Sequence, residues 1–338
     1  MKMETPSCCA HKKKPWFKEP FYIILFILFA IFIANAILAS SGIYFLKPVV
    51  QKFTDYLDKT WWAIVLGLII GGVIDVLVPE SLIVKLLANG KKSVFLAVGL
   101  GFLASACSHG ILAITVSLYK KGASTASTLA FLLAAPWANF SITILLFSLF
   151  GLKALMIIGG ALLVAIISGL IFDFLEKRGL IEQGKAFKKD IKQEKTSLIW
   201  PGWNILLKKV SIESWSLAKS VGWWVIFGFL LASVLGSYLP ESIMDNYFGA
   251  NMLGLVATLA LASLIEICSE GSAPLAFELF RKTGAFGNAF IFLQAGVVTD
   301  FTEIGLIWTN IGKRAAMALF FVGVPLILIL GFIFNRLM

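Results

Sequence analysis

Charge is what this chain of 338 residues has least of: Asp, Glu, Lys and Arg together make up 14%, against 59% apolar residues and a mean hydropathy of +0.90. That much apolar surface exceeds what one core could hide, which excludes a soluble globule and leaves an integral membrane protein. Histidine is scarcer still. There are two, and only His109 falls in an apolar run, so a haem held between paired membrane histidines is excluded. Neither a zinc-protease HExxH helix, a paired-aspartate protease motif, a nucleophilic serine elbow nor a phosphate-binding P-loop occurs. The chain therefore reads as no enzyme and as needing no cofactor. Four cysteines, two of them adjacent at Cys8 and Cys9 and two isolated in apolar segments at Cys107 and Cys268, make no disulfide framework. The net charge of +10 sits in short basic blocks between apolar runs, the pattern of helix anchors at a bilayer surface rather than of a nucleic-acid-binding face.

What is present is a duplication. The stretch WWAIVLGLIIGGVIDVLVPES, then ACSHG, then FLLAAPWANFSI is echoed by WWVIFGFLLASVLGSYLPES, then ICSEG, then FLQAGVVTDFTE. Cys107 thereby pairs with Cys268, His109 with Glu270, Phe131 with Phe292 and Asn139 with Asp300, at a spacing of 161 residues. Two hydrophobic halves with polar residues at matching depths are the mark of a transporter.

Spanning ~30 Å of hydrocarbon takes ~20 residues of helix. Nine apolar runs approach that length, near 21–46, 61–78, 93–119, 124–150, 152–174, 216–239, 250–280, 286–311 and 315–335. The expectation is an all-α polytopic protein. Its parts are a basic, Cys-bearing tail at 1–20, an extra transmembrane helix at 21–46, one half at 61–174, a hydrophilic linker at 175–215 and a second half at 216–338. Excess Lys and Arg in the tail and the linker puts both in the cytoplasm of a cell (inner) membrane protein. That needs an even number of crossings between them, so one run is re-entrant or discontinuous, and the breaks are assigned to Gly110, Pro136, Gly271, Pro274 and Gly296. Inverted halves are favoured because the loop with Lys85, Lys91 and Lys92 corresponds to one with Glu241, Asp245 and no base. The matched basic pairs Lys120–Lys121 and Arg281–Lys282 speak for parallel halves, and both arrangements stay open.

Ionisable groups at mid-membrane are costly and mark function by default. Glu266 and Glu270 flank Cys268 at i and i+4, on one helical face, and Asp300 shares a face with Glu303. Glu266, Glu270 and Asp300 are read as proton-coupling groups, with His109 as relay or ligand. Thiols select soft, thiophilic species such as trivalent arsenic, Cu(I) or mercury. Two meeting tetrads, Cys-Ser-x-Gly, would give a substrate site of Cys107, Ser108, His109, Cys268 and Ser269, with Asn139 and Thr299 beside it. In the tail, Cys8, Cys9 and His11 form a soft-ligand cluster that would hand a thiophilic atom or metal to the pore. The competing reading is a transporter or channel for another solute, an oxyanion, Cu(I) or mercury, with the cysteines structural. Buried acids suit a coupled carrier better.

From about residue 60 onward these motifs resemble the predicted permease family that includes the organoarsenical efflux permeases. The resemblance lies in Cys107, Ser108, Gly110, Lys120, Lys121, Gly122, Ala123, Pro136 and Asn139. It recurs in Glu266, Cys268, Ser269, Gly271, Ser272, Ala295, Gly296, Thr299 and Asp300. It implies export of trivalent organoarsenicals from the cytoplasm. Beside that solute, the expected partners are protons, suggested by the buried acids, and the lipid bilayer, with room for a homodimer. Many relatives have Cys-Ser-Cys-Gly where this chain has His109. A monomethyl arsenical offers two positions to thiolates, which Cys107 and Cys268 would fill.

Overall fold

The computed structural model describes residues 20–77, 93–101, 108–120, 122–183, 202–265 and 269–338. The tail Cys8, Cys9 and His11, together with Cys107, Glu266 and Cys268, lie outside the described residues.

Every regular element among the described residues is a helix. In chain order they are α1 (Pro20–Ser40), α2 (Lys47–Leu77), α3 (Ser93–Leu100), α4 (Ser108–Lys120), α5 (Thr125–Ala138), α6 (Phe140–Phe150) and α7 (Ala154–Lys177). Then follow α8 (Gly202–Tyr238), α9 (Glu241–Phe248), α10 (Met252–Leu264), α11 (Ser269–Thr283), α12 (Phe286–Thr299), α13 (Phe301–Asn310) and α14 (Lys313–Leu337). Four stretches of the described residues are long and apolar enough to cross a membrane: Phe21–Ser40, Phe140–Lys177, Phe286–Asn310 and Lys313–Leu337. Shorter apolar helices add to them at Thr125–Ala138, Gly222–Tyr238 and Met252–Leu264. The protein is a polytopic, all-α membrane protein. Its α1 opens on Pro20, whose missing N–H costs nothing at a first helical position, and exposes Phe26, Phe29 and Ile37 outward as a lipid-facing helix does.

The sequence duplication reappears as a duplication of elements. α5 and α12 are both 14 residues long, and α6 and α13 both begin after a single interrupting residue. The runs at 124–150 and 286–311, each expected to carry an internal break, are each two helices. Pro136 does not make the first break: it lies inside α5, which continues to Ala138. Gly296 likewise lies inside α12, Gly271 and Pro274 inside α11, and the backbone of Gly110 inside α4. Proline removes one helical N–H, but an interruption also needs something to receive the free N–H groups of the helix that restarts. Asn139 and Asp300 supply it. The hydrophilic linker of 175–215 is also shorter than its composition suggests, since α7 runs to Lys177 and α8 starts at Gly202 on good helix formers such as Leu206, Lys208 and Lys209.

Equivalent helices of the two halves pack side by side in opposite directions. Lys52, near the start of α2, donates to the carbonyl of Gly236 near the end of α8 at 2.6 Å, while Gly72, near the end of α2, lies against Ser214 and Val210 near the start of α8. Gly160, early in α7, lies against Phe334, late in α14, and the residues just past α7 meet the start of α14. There the Glu182 carboxylate accepts the backbone N–H of Arg314 at 3.0 Å and of Ala315 at 2.8 Å, capping α14. Within each half the last helix returns to cap an earlier one. Glu176 of α7 accepts from Thr125 and Ala126 at the start of α5, and Asn335 of α14 accepts from Gly287 at the start of α12.

One buried ionic cluster ties the halves together. Glu278 of α11, its side chain 1% exposed, accepts from Lys52 Nζ at 2.9 Å, from Arg281 Nε at 2.8 Å and Nη2 at 2.6 Å, and from the Tyr56 hydroxyl. The cluster closes against Gly236, where a Cβ would stand 2.2 Å from Glu278 Oε1 and 2.6 Å from Lys52 Nζ. Gly236→Ala is therefore expected to displace the carboxylate and lower stability by about 1–3 kcal/mol, as overpacking does. Thermal unfolding in detergent measures it, and an unchanged midpoint would show that the cluster yields freely.

Candidate functional site

In a membrane interior no water satisfies the free ends of a broken helix, so the polar side chains near a break have structural work before any other. At the first break Asn139 leaves the helix with ψ 150°, and its Oδ1 accepts the N–H of Ile142 at 2.9 Å. At the second, Asp300 takes ψ 128° and its Oδ1 accepts the N–H of Thr302 at 2.7 Å. Both are N-caps, the role in which Asn and Asp excel. Thr299 is held just before the break, donating to Ala295 O at 2.7 Å and meeting the hydroxyl of Ser263 of α10 at 2.7 Å.

The second tetrad leads directly into α11. Ser269 and Glu270 begin that helix, both buried, with the Ser269 hydroxyl donating to Glu270 Oε2 at 3.0 Å. One turn on, the Ser272 hydroxyl donates to Ser269 O at 3.0 Å. The N-terminal ends of α11 and α13 converge on a cavity of about 20 Å³, lined by Ser269, Ser272, Gly296, Asp300 and Glu303 from the second half and by Trp137 from the first. That is room for about one water molecule. Helix N-termini carry partial positive charge, which favours carboxylates there; Glu270 and Glu303 occupy first turns and Asp300 a cap.

Of the residues singled out by sequence, Ser269, Gly296 and Asp300 line the cavity, and Glu270 adjoins it through Ser269. Asn139 is committed to capping α6 and Thr299 to α10 and α12 contacts. Only the backbone of Ser108, His109 and Gly110 is described, at the start of α4. That helix packs against α13, and α11 packs reciprocally against α6, so each tetrad-bearing helix meets the restarted helix of the other half. Sequence reasoning assigned no role to Trp137; its sole signal was its place in the Ala-Pro-Trp-Ala-Asn break motif. Among the described residues no group of three or more His, Cys, Asp or Glu is arranged to hold a metal ion.

A family described as predicted permeases matches residues 46–336. The chain belongs to this permease family. α1 lies before the matched residues. Relatives include the Mycobacterium tuberculosis protein Rv2963, named as a permease, 26% identical over 248 residues that make up 65% of this chain and 60% of that protein. The Bacillus subtilis UPF0718 protein YcgR is 26% identical over 264 residues, 74% of this chain and 84% of its own length. A Streptococcus mutans protein named as a subunit of a two-component membrane permease complex is 24% identical over 253 residues, 71% and 79% of the two chains. This chain thus spans less than two thirds of the Mycobacterium relative. No solved structure matches it. Membership in a permease family accords with a multi-pass protein whose polar residues gather at breaks in its helices.

If Asp300 acts structurally as the cap of α13, the permease should lose about 0.5–2 kcal/mol in Asp300→Ala and much less in Asp300→Asn, since Asn caps as well as Asp. Thermal unfolding of the purified variants in detergent tests this. Equal losses in both would mean that the charge, not the cap, stabilises the break.

Proposed function

We propose that this permease exports a small thiophilic solute, a trivalent organoarsenical, across the cell membrane by proton-coupled antiport. The observation that carries the reading is the cavity at which the ends of broken helices from the second half, bearing Asp300, Glu303 and Ser269, meet Trp137 of the first. A site at the junction of halves, built on interrupted helices, is where secondary transporters bind their cargo.

The antiparallel pairing of α2 with α8 and of α7 with α14 supports an inverted arrangement of the halves. From Arg314 to Asn335 α14 rises about 30 Å, so α5, which starts at the α7 end, and α12, which starts at the Asn335 end, begin on opposite faces. Inverted halves rocking about one central site open it to each side in turn. The charge pattern puts the linker and the N-terminus in the cytoplasm.

In the proposed chemistry Cys107 and Cys268 take the cargo from the cytoplasmic side. For a methylarsenical bearing two hydroxyls, each thiol forms one As–S bond as one As–O bond breaks, and the thiol proton leaves with the hydroxyl as water. No oxidant or reductant enters. Release on the far side is the reverse hydrolysis, with Glu266, Glu270 and Asp300 taking and giving the coupling protons and His109 relaying them or adding a ligand. Ser108 and Ser269, next to the two cysteines in sequence, would line the path beside the thiols.

Uptake of methylarsenite into everted vesicles is expected to be driven by a proton gradient in the wild type. In a Cys107→Ser, Cys268→Ser double variant of equal abundance it should be abolished. Uptake that survives the double change would remove the thiol role; no uptake by the wild type would remove arsenic as the cargo. In Asp300→Asn, which keeps the cap, gradient-driven accumulation should fall at least about tenfold while the protein stays folded, as expected if the carboxylate carries a coupling proton. Undiminished accumulation would take Asp300 out of the proton path.

A further inference from the structure

The two halves repeat each other in sequence but not in packing. α2 and α8 lie together, and on the face opposite the linker the rest of the protein holds them both: α2 packs along α6, and α8 along α11. Gly67 of α2 lies against Ser141 of α6, whose hydroxyl donates to Gly67 O at 3.0 Å, and Ser148 further along α6 donates to Lys59 O at 2.7 Å. Gly228 of α8 lies against the carbonyl of Gly271 of α11. Small residues permit such close backbone approach between membrane helices.

The repeat matches α6 with α13 and α11 with α4, so the same packing at the linker face would set α8 on α13 and α2 on α4. Among the described residues neither pair packs comparably. α13 is correspondingly bare: Leu306 is 41% exposed where its counterpart Leu145 is 2% exposed, and Phe301 and Trp308 are exposed beside it. Carriers built from inverted repeats alternate by rocking one bundle against another. Packing made on one face and unmade on the other is one end of such a cycle.

The made face also carries the Glu278 cluster, which crosses from α11 to Lys52 and Tyr56 of α2. The repeat supplies no second copy of it. Glu278 corresponds to Ser117, and with Trp61 matched to Trp223, Lys52 corresponds to Ser214. A buried ion pair adds little stability over apolar packing, but separating the partners is costly. A cluster on one face alone therefore favours one arrangement over the other.

Resting on the transport function proposed above, we propose that α2 and α8 move as one body, that this conformation is closed opposite the linker and open toward it, and that Lys52 and Tyr56 on Glu278 are the latch that holds it. In the other state the latch is broken, α8 sits on the bare face of α13, and α2 sits on α4. Arg281, three residues from Glu278 on the same helix, stays with the carboxylate, so opening the latch does not strand its charge. With the linker in the cytoplasm, the latched state is the one that loads cargo.

The test is cross-linking of paired cysteines in the full chain, in membranes, with a short bis-maleimide, each link being located by mass spectrometry. Lys59→Cys with Ser148→Cys reports the latched state. Its repeat counterpart, Val221→Cys with Thr309→Cys, reports the other. The first pair is expected to link efficiently and the second weakly. Adding Tyr56→Phe, which keeps the ring, or Lys52→Met should raise the second yield at least about threefold and lower the first, as a shift between two populations requires. No link between Val221→Cys and Thr309→Cys in any background overturns the inference, because α8 then never reaches α13. Yields that stay unchanged, or that fall together, overturn the latch: the cluster would then be neutral or would hold the fold rather than the state. Linking needs no solute, so a protein that takes up no methylarsenite can still pass this test. One that takes it up and fails here strikes this inference alone.

Discussion

The architecture depends on hydrogen bonds from side chains to the first N–H groups of helices that start inside or at the edge of an apolar medium. An unbroken membrane helix satisfies its own backbone; one that stops and restarts at depth exposes N–H groups that lipid cannot receive. Asn139 and Asp300 meet this need locally, each with a side-chain oxygen on the helix that follows it. Glu176, Glu182 and Asn335 meet it from a distance, each reaching a helix elsewhere in the chain. Because these acceptors are fixed in place, the helix ends that converge on the cavity are fixed as well.

The same constraint shapes the chemistry available at the centre. A capping carboxylate is held at a point of partial positive charge, which lowers the cost of keeping it in a membrane interior. Asp300 differs from its counterpart Asn139 by one ionisable oxygen, so the two breaks share a geometry while one alone can carry a proton. Ser269, Ser272 and Glu303 gather around Asp300, and the first half contributes an indole. The site is asymmetric although the scaffold is duplicated.

Much of this was legible in the sequence, and what was not follows from distance along the chain. The 161-residue repeat is visible because Cys-Ser-x-Gly and the Asn139–Asp300 equivalence survive as identities or near-identities, and the element pattern follows it. The interruptions were seen but misassigned to Pro136 and Gly296: proline and glycine signal a weak helix, whereas the restart is set by the capping residue that follows. The i, i+3 spacing of Glu278 and Arg281 reveals one pair of the ionic cluster, yet Lys52 and Tyr56, more than 220 residues away, complete the cluster and bury it. Trp137 could not be read as more than an aromatic in a motif, because whether an indole N–H finds an acceptor is a property of the packed neighbourhood.

The Glu182 cap also bears on how the protein is made. Glu182 leaves the ribosome 132 residues before Arg314, whose N–H it receives. Helix α14, synthesised later, therefore enters the bilayer toward an acceptor that is already in place, just past α7. Order of synthesis and order of capping coincide: α14 finds its starting point at the finished half, and its far end, through Asn335, then closes α12. A first half that misfolds would leave α14 without its cap, so a defect in α7 would be expressed more than 130 residues further along the chain.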